Sequence, residues 1–203
     1  MQQTKIVEGK FEMIKRVPFY VCGAHCSGKT SILKDLYQEG VISERGSEIG
    51  KDIYYQRGID TASQGEKFEI EITEMEVARD KEYMEKEGVI GIESWHPGNL
   101  AYAMVRNPSI VPKLIQRMKK SPLLSCSYGI HLCVSRENIY SRTKTFYENP
   151  EWAADFYTRI EKSLEEALKS LNLFEKCFII NSDRSYCDVY SDVKILIKKI
   201  CDL

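Results

Sequence analysis

Short apolar runs alternate with amphipathic stripes along the chain. Val17-Pro18-Phe19-Tyr20-Val21-Cys22 predicts a buried strand, with Pro18 at its start, where a missing N–H is tolerated. Ile32, Leu33, Leu36 and Tyr37 then recur at helical spacing until Gly40, a natural helix stop. Val41-Ile42 predicts the opening of a second strand, and the polar stretch 43–65 predicts a connecting region over the site. From 66 to 87, Phe68, Ile72, Met75 and Tyr83 fall on one helical face, which Arg79 shares. Val89-Ile90-Gly91-Ile92 fits a buried parallel strand that ends in Glu93-Ser94-Trp95. The pattern then gives a helix over 108–120, a strand over 128–134, and a short helix over 137–143. Phe156, Ile160, Leu164, Ala167 and Leu171 mark a long helix. Cys177-Phe178-Ile179-Ile180 is the last strand, and Val189, Val193, Leu196 and Ile200 lie on a closing helix.

Strands alternating with helices predict an α/β fold of three layers, a parallel sheet of about five strands covered on both faces, with the first strand near its centre. At 203 residues the chain is long enough for one sizeable core, and a single domain over 1–203 is expected. Charge sharpens the picture by exclusion: Lys plus Arg number 29 and Asp plus Glu 30, so no basic field points to nucleic acid or a membrane surface. A small-molecule site remains. Seven scattered cysteines without metal-ligand spacing read as reduced thiols, and 1–10 holds no apolar signal core, so a cytoplasmic location is expected. A homodimer is compatible with these features.

The candidate chemistry centres on Gly23-Ala24-His25-Cys26-Ser27-Gly28-Lys29-Thr30, two glycines bracketing four residues, then Lys and Thr. This is the phosphate-loop pattern, and it sits between a predicted strand and a predicted helix, as the pattern requires. Glycines let the backbone curl so that N–H groups point at an anion, and the following helix aims its positive end there. Lys29 supplies a cation for terminal phosphates and Thr30 a hydroxyl for Mg²⁺; Ser31, outside the pattern, is grouped with the loop. Glu93, at a strand end, is the candidate carboxylate, as base or as metal ligand, because ligands gather at the carboxyl ends of parallel strands. Glu48, Arg57, Arg79 and Trp95 are candidate acceptor contacts, with Lys51 and Asp60 weaker ones. Arg79 needs an anionic partner on its apolar stripe, either a substrate or a core or rim carboxylate. His96 and His131 read as packed, hydrogen-bonded side chains.

With these residues in place, the chain resembles the P-loop nucleoside and nucleotide kinases, particularly the thymidylate-kinase and deoxynucleoside-kinase branch. The loop, the strand ending in Glu93-Ser94, the helix with Arg136, Arg142 and Lys144, and the strand ending in Asn181-Ser182-Asp183 carry the resemblance across most of the chain. It implies phosphoryl transfer from ATP with Mg²⁺ to a small-molecule acceptor, with Lys29, Glu93 and Arg142 catalytic. It implies a helical lid over about 136–155 carrying Arg142 and Lys144, and Asn181 and Asp183 flanking the base of the donor. The family's acid is commonly followed by Arg, whereas Ser94 and Trp95 follow Glu93 here, so an acceptor-binding Arg must come from elsewhere, Arg57 or Arg79. A regulatory ATP-binding module is the alternative; a GTP switch is weak, because no Asn-Lys-x-Asp signature is present.

Overall fold

The structure is a computed structural model that describes residues 16–58 and 65–201. Five strands, β1 (Val17–Cys22), β2 (Glu44–Gly46), β3 (Val89–Glu93), β4 (Tyr128–Cys133) and β5 (Cys177–Asn181), form one parallel sheet in the order β2-β3-β1-β4-β5. β1 is central, as expected. Alternate residues of β1 point to opposite faces, the period-2 consequence of the pleat. Phe19 and Val21 pack with Ile32, Leu33 and Leu36 of α1 (Lys29–Gln38) and with Val189, Val193 and Ile197 of α8 (Tyr186–Cys201). Tyr20 and Cys22 join the opposite core, with Leu100 and Ala103 of α4 (Trp95–Arg106) and Ile160 and Leu164 of α7 (Pro150–Ser170). Helices thus cover both faces, the three-layer α/β arrangement that buries a parallel sheet.

The remaining helices are α2 (Ile49–Arg57), α3 (Glu66–Tyr83), α5 (Val111–Met118) and α6 (Arg136–Thr143). Several expectations need correction. Val41-Ile42 is not strand: β2 forms at Glu44–Gly46, while Ile42 is buried from the preceding turn. The polar stretch 43–65 contains a helix, because Ile49 and Ile53, four apart, pack on Phe68 and Ile72 of α3. Trp95–Arg106 is helical although Pro97 and Gly98 interrupt the pattern; Pro97 sits in the first turn, where its missing N–H has no helical partner to lose. Tyr37 and Met75 lie exposed rather than in the core. The segment 59–64, with Asp60, and the segment 1–15 lie outside the described residues.

Candidate active site

The parallel ladder explains why the site assembles. Val21 pairs in register with Glu93 and Cys22 with His131, so β1 delivers Gly23 and the loop to the sheet edge where β3 ends. At Gly23 (φ 148°) an added Cβ would lie 2.6 Å from the Leu132 carbonyl oxygen, and Gly28 (φ 100°) turns the chain into α1; both positions therefore require glycine. Beyond β3 the chain turns sharply, with Ser94 (φ 59°) and Trp95 (φ 51°) both at positive φ. Such consecutive strained residues persist only where surrounding contacts hold them. The Ser94 amide donates to the Val21 carbonyl at 2.9 Å, and the Trp95 indole N–H donates to Asp80 Oδ1 at 3.0 Å.

Thr30 and Glu93 meet, the Thr30 hydroxyl donating to Glu93 Oε1 at 2.5 Å. The Lys29 ammonium folds onto the loop, donating to the carbonyl oxygens of Gly23 (3.0 Å) and Ala24 (2.9 Å). Burial pushes the Glu93 carboxyl above its usual range and nearby Glu48 adds to this, while Lys29, the Thr30 hydrogen bond and Lys51 pull it back. His25 is stacked on Tyr157 with ring centroids 4.7 Å apart, and burial, reinforced by Lys29 and Lys51, lowers its pKa to about 4. Its imidazole is therefore neutral at pH 7. Ser27 Oγ is buried in the loop without a hydrogen-bond partner among the described residues.

These groups face a cavity of about 780 Å³. His25, Cys26, Gly28, Lys29, Thr30 and Ser31 line it from the loop and the start of α1; Glu48, Phe68, Asn99, Tyr102 and Arg106 line it from other elements, as does Tyr157 of α7, which stacks on His25. Arg142 also reaches the cavity, but from a fixed post: it donates to the carbonyl oxygens of Cys26 (2.9 Å) and Ser182 (2.8 Å), tying α6 to the loop and to the turn after β5. Phe146, in the turn after α6, lines the mouth and is 77% exposed.

Four sequence candidates sit elsewhere. Trp95 is fully buried against Tyr20 and His96, so it packs the core and holds Asp80 instead of stacking on a substrate. Arg57 is exposed at the end of α2 and forms a bidentate pair with Glu71, and it is not among the cavity's lining residues. Arg79 pairs with the fully buried Glu76 and donates to the Ser47 carbonyl at 2.6 Å, the carboxylate-pair arrangement, also outside the lining. Lys144, the residue after α6, is exposed and outside the lining too. Glu48 and Lys51, by contrast, do line the cavity, from the residue before α2 and from its first turn.

A second hollow of about 270 Å³ lies on the other side of the loop, lined by Ser27, Gly28, Arg142, Ser182, Arg184 and Tyr186. Asn181 and Asp183 do not line it; they hold the turn, Asn181 Oδ1 accepting from the Asp183 amide (2.8 Å) and the Asp183 carboxylate from the Ser135 amide (3.0 Å). Sequence reasoning also missed Glu161 of α7. Its two oxygens join the loop to β4, Oε2 accepting from the Ala24 amide at 2.9 Å and Oε1 lying 2.6 Å from His131 Nε2. The only signal for this residue was a glutamate beside the apolar stripe of the long helix.

No protein-family model and no curated protein matches the sequence. Solved structures do match. The NadR protein in complex with NR superposes with a TM-score of 0.73 at 13% identity, covering 93% of this chain and 52% of that one, so this chain spans about half the length of NadR. Deoxyadenosine kinase from M. mycoides gives 0.67 at 17% identity, covering 92% of this chain and 100% of that one. Thymidylate kinase from Ehrlichia chaffeensis gives 0.62 at 13%, with 91% and 99% covered. Central β1, the loop between β1 and α1, the acid at the end of β3 and the helices on both faces give this chain the fold of the P-loop nucleoside and nucleotide kinases.

Proposed function

We propose that the protein transfers the terminal phosphoryl group of Mg-ATP to a nucleoside, a nucleoside monophosphate or a related small acceptor. The observation that carries this reading is the convergence of Lys29, Thr30 and Glu93 on one cavity whose lining also includes Phe68, Tyr102 and Tyr157. The residues suit a bound triphosphate: an unpartnered Ser27 hydroxyl, a lysine held only by loop carbonyls, and loop amides at the N-terminus of α1. Thr30 and, directly or through water, Glu93 would hold Mg²⁺, which when bound neutralises charge on the phosphate oxygens. Glu93 then has a second task, accepting the proton of the acceptor hydroxyl, a role that its buried and raised carboxyl suits. Lys29 leaves its loop carbonyls for the phosphates, and Arg142 steadies the transferring group while its link to Cys26 keeps the loop in place.

The likeness to deoxyadenosine kinase and to thymidylate kinase supports the reaction class; the NR of the NadR complex adds another acceptor to test. An ATP-consumption screen over nucleosides, nucleoside monophosphates and NR, with product mass measured, tests the reading. A product heavier by one phosphoryl group is the expected result. Tight ATP binding with no product from any acceptor would favour a nucleotide-binding regulatory module instead, a reading to which the Ser94-Trp95 departure lends support.

A further inference from the structure

Beside its apolar residues Phe68, Ile72 and Tyr83, α3 buries a polar row. Glu69, Thr73, Glu76 and Asp80, spaced four, three and four apart, face inward with almost no exposure. Each acid grips α4: Glu69 accepts from Arg106 Nε (2.9 Å), Asp80 from Trp95, and Glu76 Oε1 from Asn99 Nδ2 (3.2 Å). Glu76 Oε2 is taken by Arg79. Asn99 lines the same cavity as the phosphate loop. Its amide has one donor end and one acceptor end, so whatever Glu76 binds leaves the opposite end for the cavity.

We propose that Glu76 is a positioning residue that sets which end of the Asn99 amide faces the acceptor cavity, and thereby whether the site selects a ring edge that donates or one that accepts a hydrogen bond. This rests on the kinase reading above. As a carboxylate, Glu76 takes the Asn99 NH₂ and turns the Asn99 carbonyl to the cavity, favouring an acceptor ring with an amino group. As a neutral acid it must keep Oε2 for Arg79, which only donates, so its proton sits on Oε1 and is given to Asn99 Oδ1; the Asn99 NH₂ then faces the cavity and favours a ring carbonyl. The two states are both within reach. Burial pushes the Glu76 carboxyl up to about 8, and Asp80 adds to this, while Arg79 and Asn99 oppose it. The titratable groups around it are Arg79, Asp80 and Tyr83 of α3; α4 supplies Asn99, which does not titrate, and His96, which engages Asp80.

Glu76→Gln mimics the neutral acid at every pH, because its carbonyl must serve Arg79 and its NH₂ must face Asn99. The test is the ratio of kcat/KM for adenosine over inosine and for cytidine over uridine, pairs that exchange an amino group for a carbonyl at one ring position. In the wild type each ratio should rise about tenfold between pH 6.5 and pH 9, the worth of one exchanged hydrogen bond. In Glu76→Gln it should stay at its low-pH value, and ionisation of the acceptors themselves, common to both proteins, cancels in the comparison. Asn99→Ala, a variant that leaves α3 intact, should abolish the pH response and bring each ratio toward one.

A wild-type ratio that does not move with pH, or one that moves equally in Glu76→Gln, overturns the inference while the kinase reading stands. If no acceptor is phosphorylated the kinase reading fails, and the same ratios are read as affinities by calorimetry with AMP-PNP present. Unshifted affinities, or no nucleoside binding, would overturn the inference on its own terms.

Discussion

The first wall of the cavity, the one the loop gives it, comes from a single short run, His25 to Ser31, whereas the second, with Glu48, Phe68, Asn99, Tyr102, Arg106 and Tyr157, comes from α3, α4, α7 and the turn before α2. The first wall is made mostly of backbone: two glycines and the start of α1 fix the amides, and few side chains matter. The second is made of side chains, two of them, Asn99 and Arg106, held from behind by the buried acids of α3. On the proposed reading the first wall would take the triphosphate of the donor, and the second, the acceptor wall, would be free to differ because its scaffold is separate. Damage to the first wall should therefore abolish turnover without disturbing acceptor preference, and damage to the second should do the reverse.

The largest expected effect is on the donor side. Lys29→Ala should lower turnover about a thousandfold, the scale of losing one preorganised charge at the developing transition state. Its thermal midpoint should change little, since among the described residues the Lys29 ammonium donates to carbonyls of its own loop. A folded variant with unchanged turnover would remove the loop from the chemistry. Glu93→Gln comes next, at about a hundredfold for loss of a general base. The Thr30 hydroxyl can still donate to the side-chain carbonyl of the substituted amide, so stability should hold; full activity would reduce Glu93 to a partner of Thr30. Arg142→Ala should cost about tenfold in kcat, with a smaller change in ATP affinity, if its guanidinium acts as charge shifts in the transition state. Equal losses in both, measured by calorimetry beside steady-state kinetics, would make it a ground-state tether of Cys26 and Ser182.

The same contrast explains what could be seen from sequence. The central first strand, the loop and the Glu93 strand end were legible because each is a local pattern: an apolar run, a glycine spacing, a carboxylate where a buried strand stops. Of the acceptor wall only Glu48 and Lys51 were. On α3 the pattern marks Phe68, Ile72, Met75 and Tyr83 as the buried stripe, yet Met75 is exposed and Glu69, Glu76 and Asp80 are buried, because their partners Arg106, Asn99 and Trp95 make burial of acids tolerable. A glutamate reads as surface until its partner is known, and the partners lie 37, 23 and 15 residues away. Arg57 misled as a substrate contact for the same reason, and of the two partners open to Arg79 the carboxylate prevailed, since Glu71 and Glu76, on the neighbouring or the same helix, pair with them before any substrate can. The turn at Ser94 and Trp95 hid α4, because positive φ at two non-glycine residues has no sequence signature.

The smallest expected effect tests that last correction. An aromatic just past a strand end reads as a platform for an acceptor ring, and the structure instead places Trp95 inside the core beside Tyr20, ring centroids 5.2 Å apart, with its N–H on Asp80. Trp95→Phe keeps an aromatic ring there but removes the N–H and part of the volume. Asp80 would retain His96 (2.8 Å) and Ser121 (2.5 Å), so its carboxylate is not orphaned, and the loss should be about 2 kcal/mol from the smaller ring and the missing hydrogen bond together. Chemical denaturation reads this directly. Acceptor KM should stay within about twofold, because the residue is no part of the cavity lining that would meet a ring. The opposite pattern, a large rise in acceptor KM with stability unchanged, would return Trp95 to the acceptor wall and show that the core packing seen here opens when the acceptor binds.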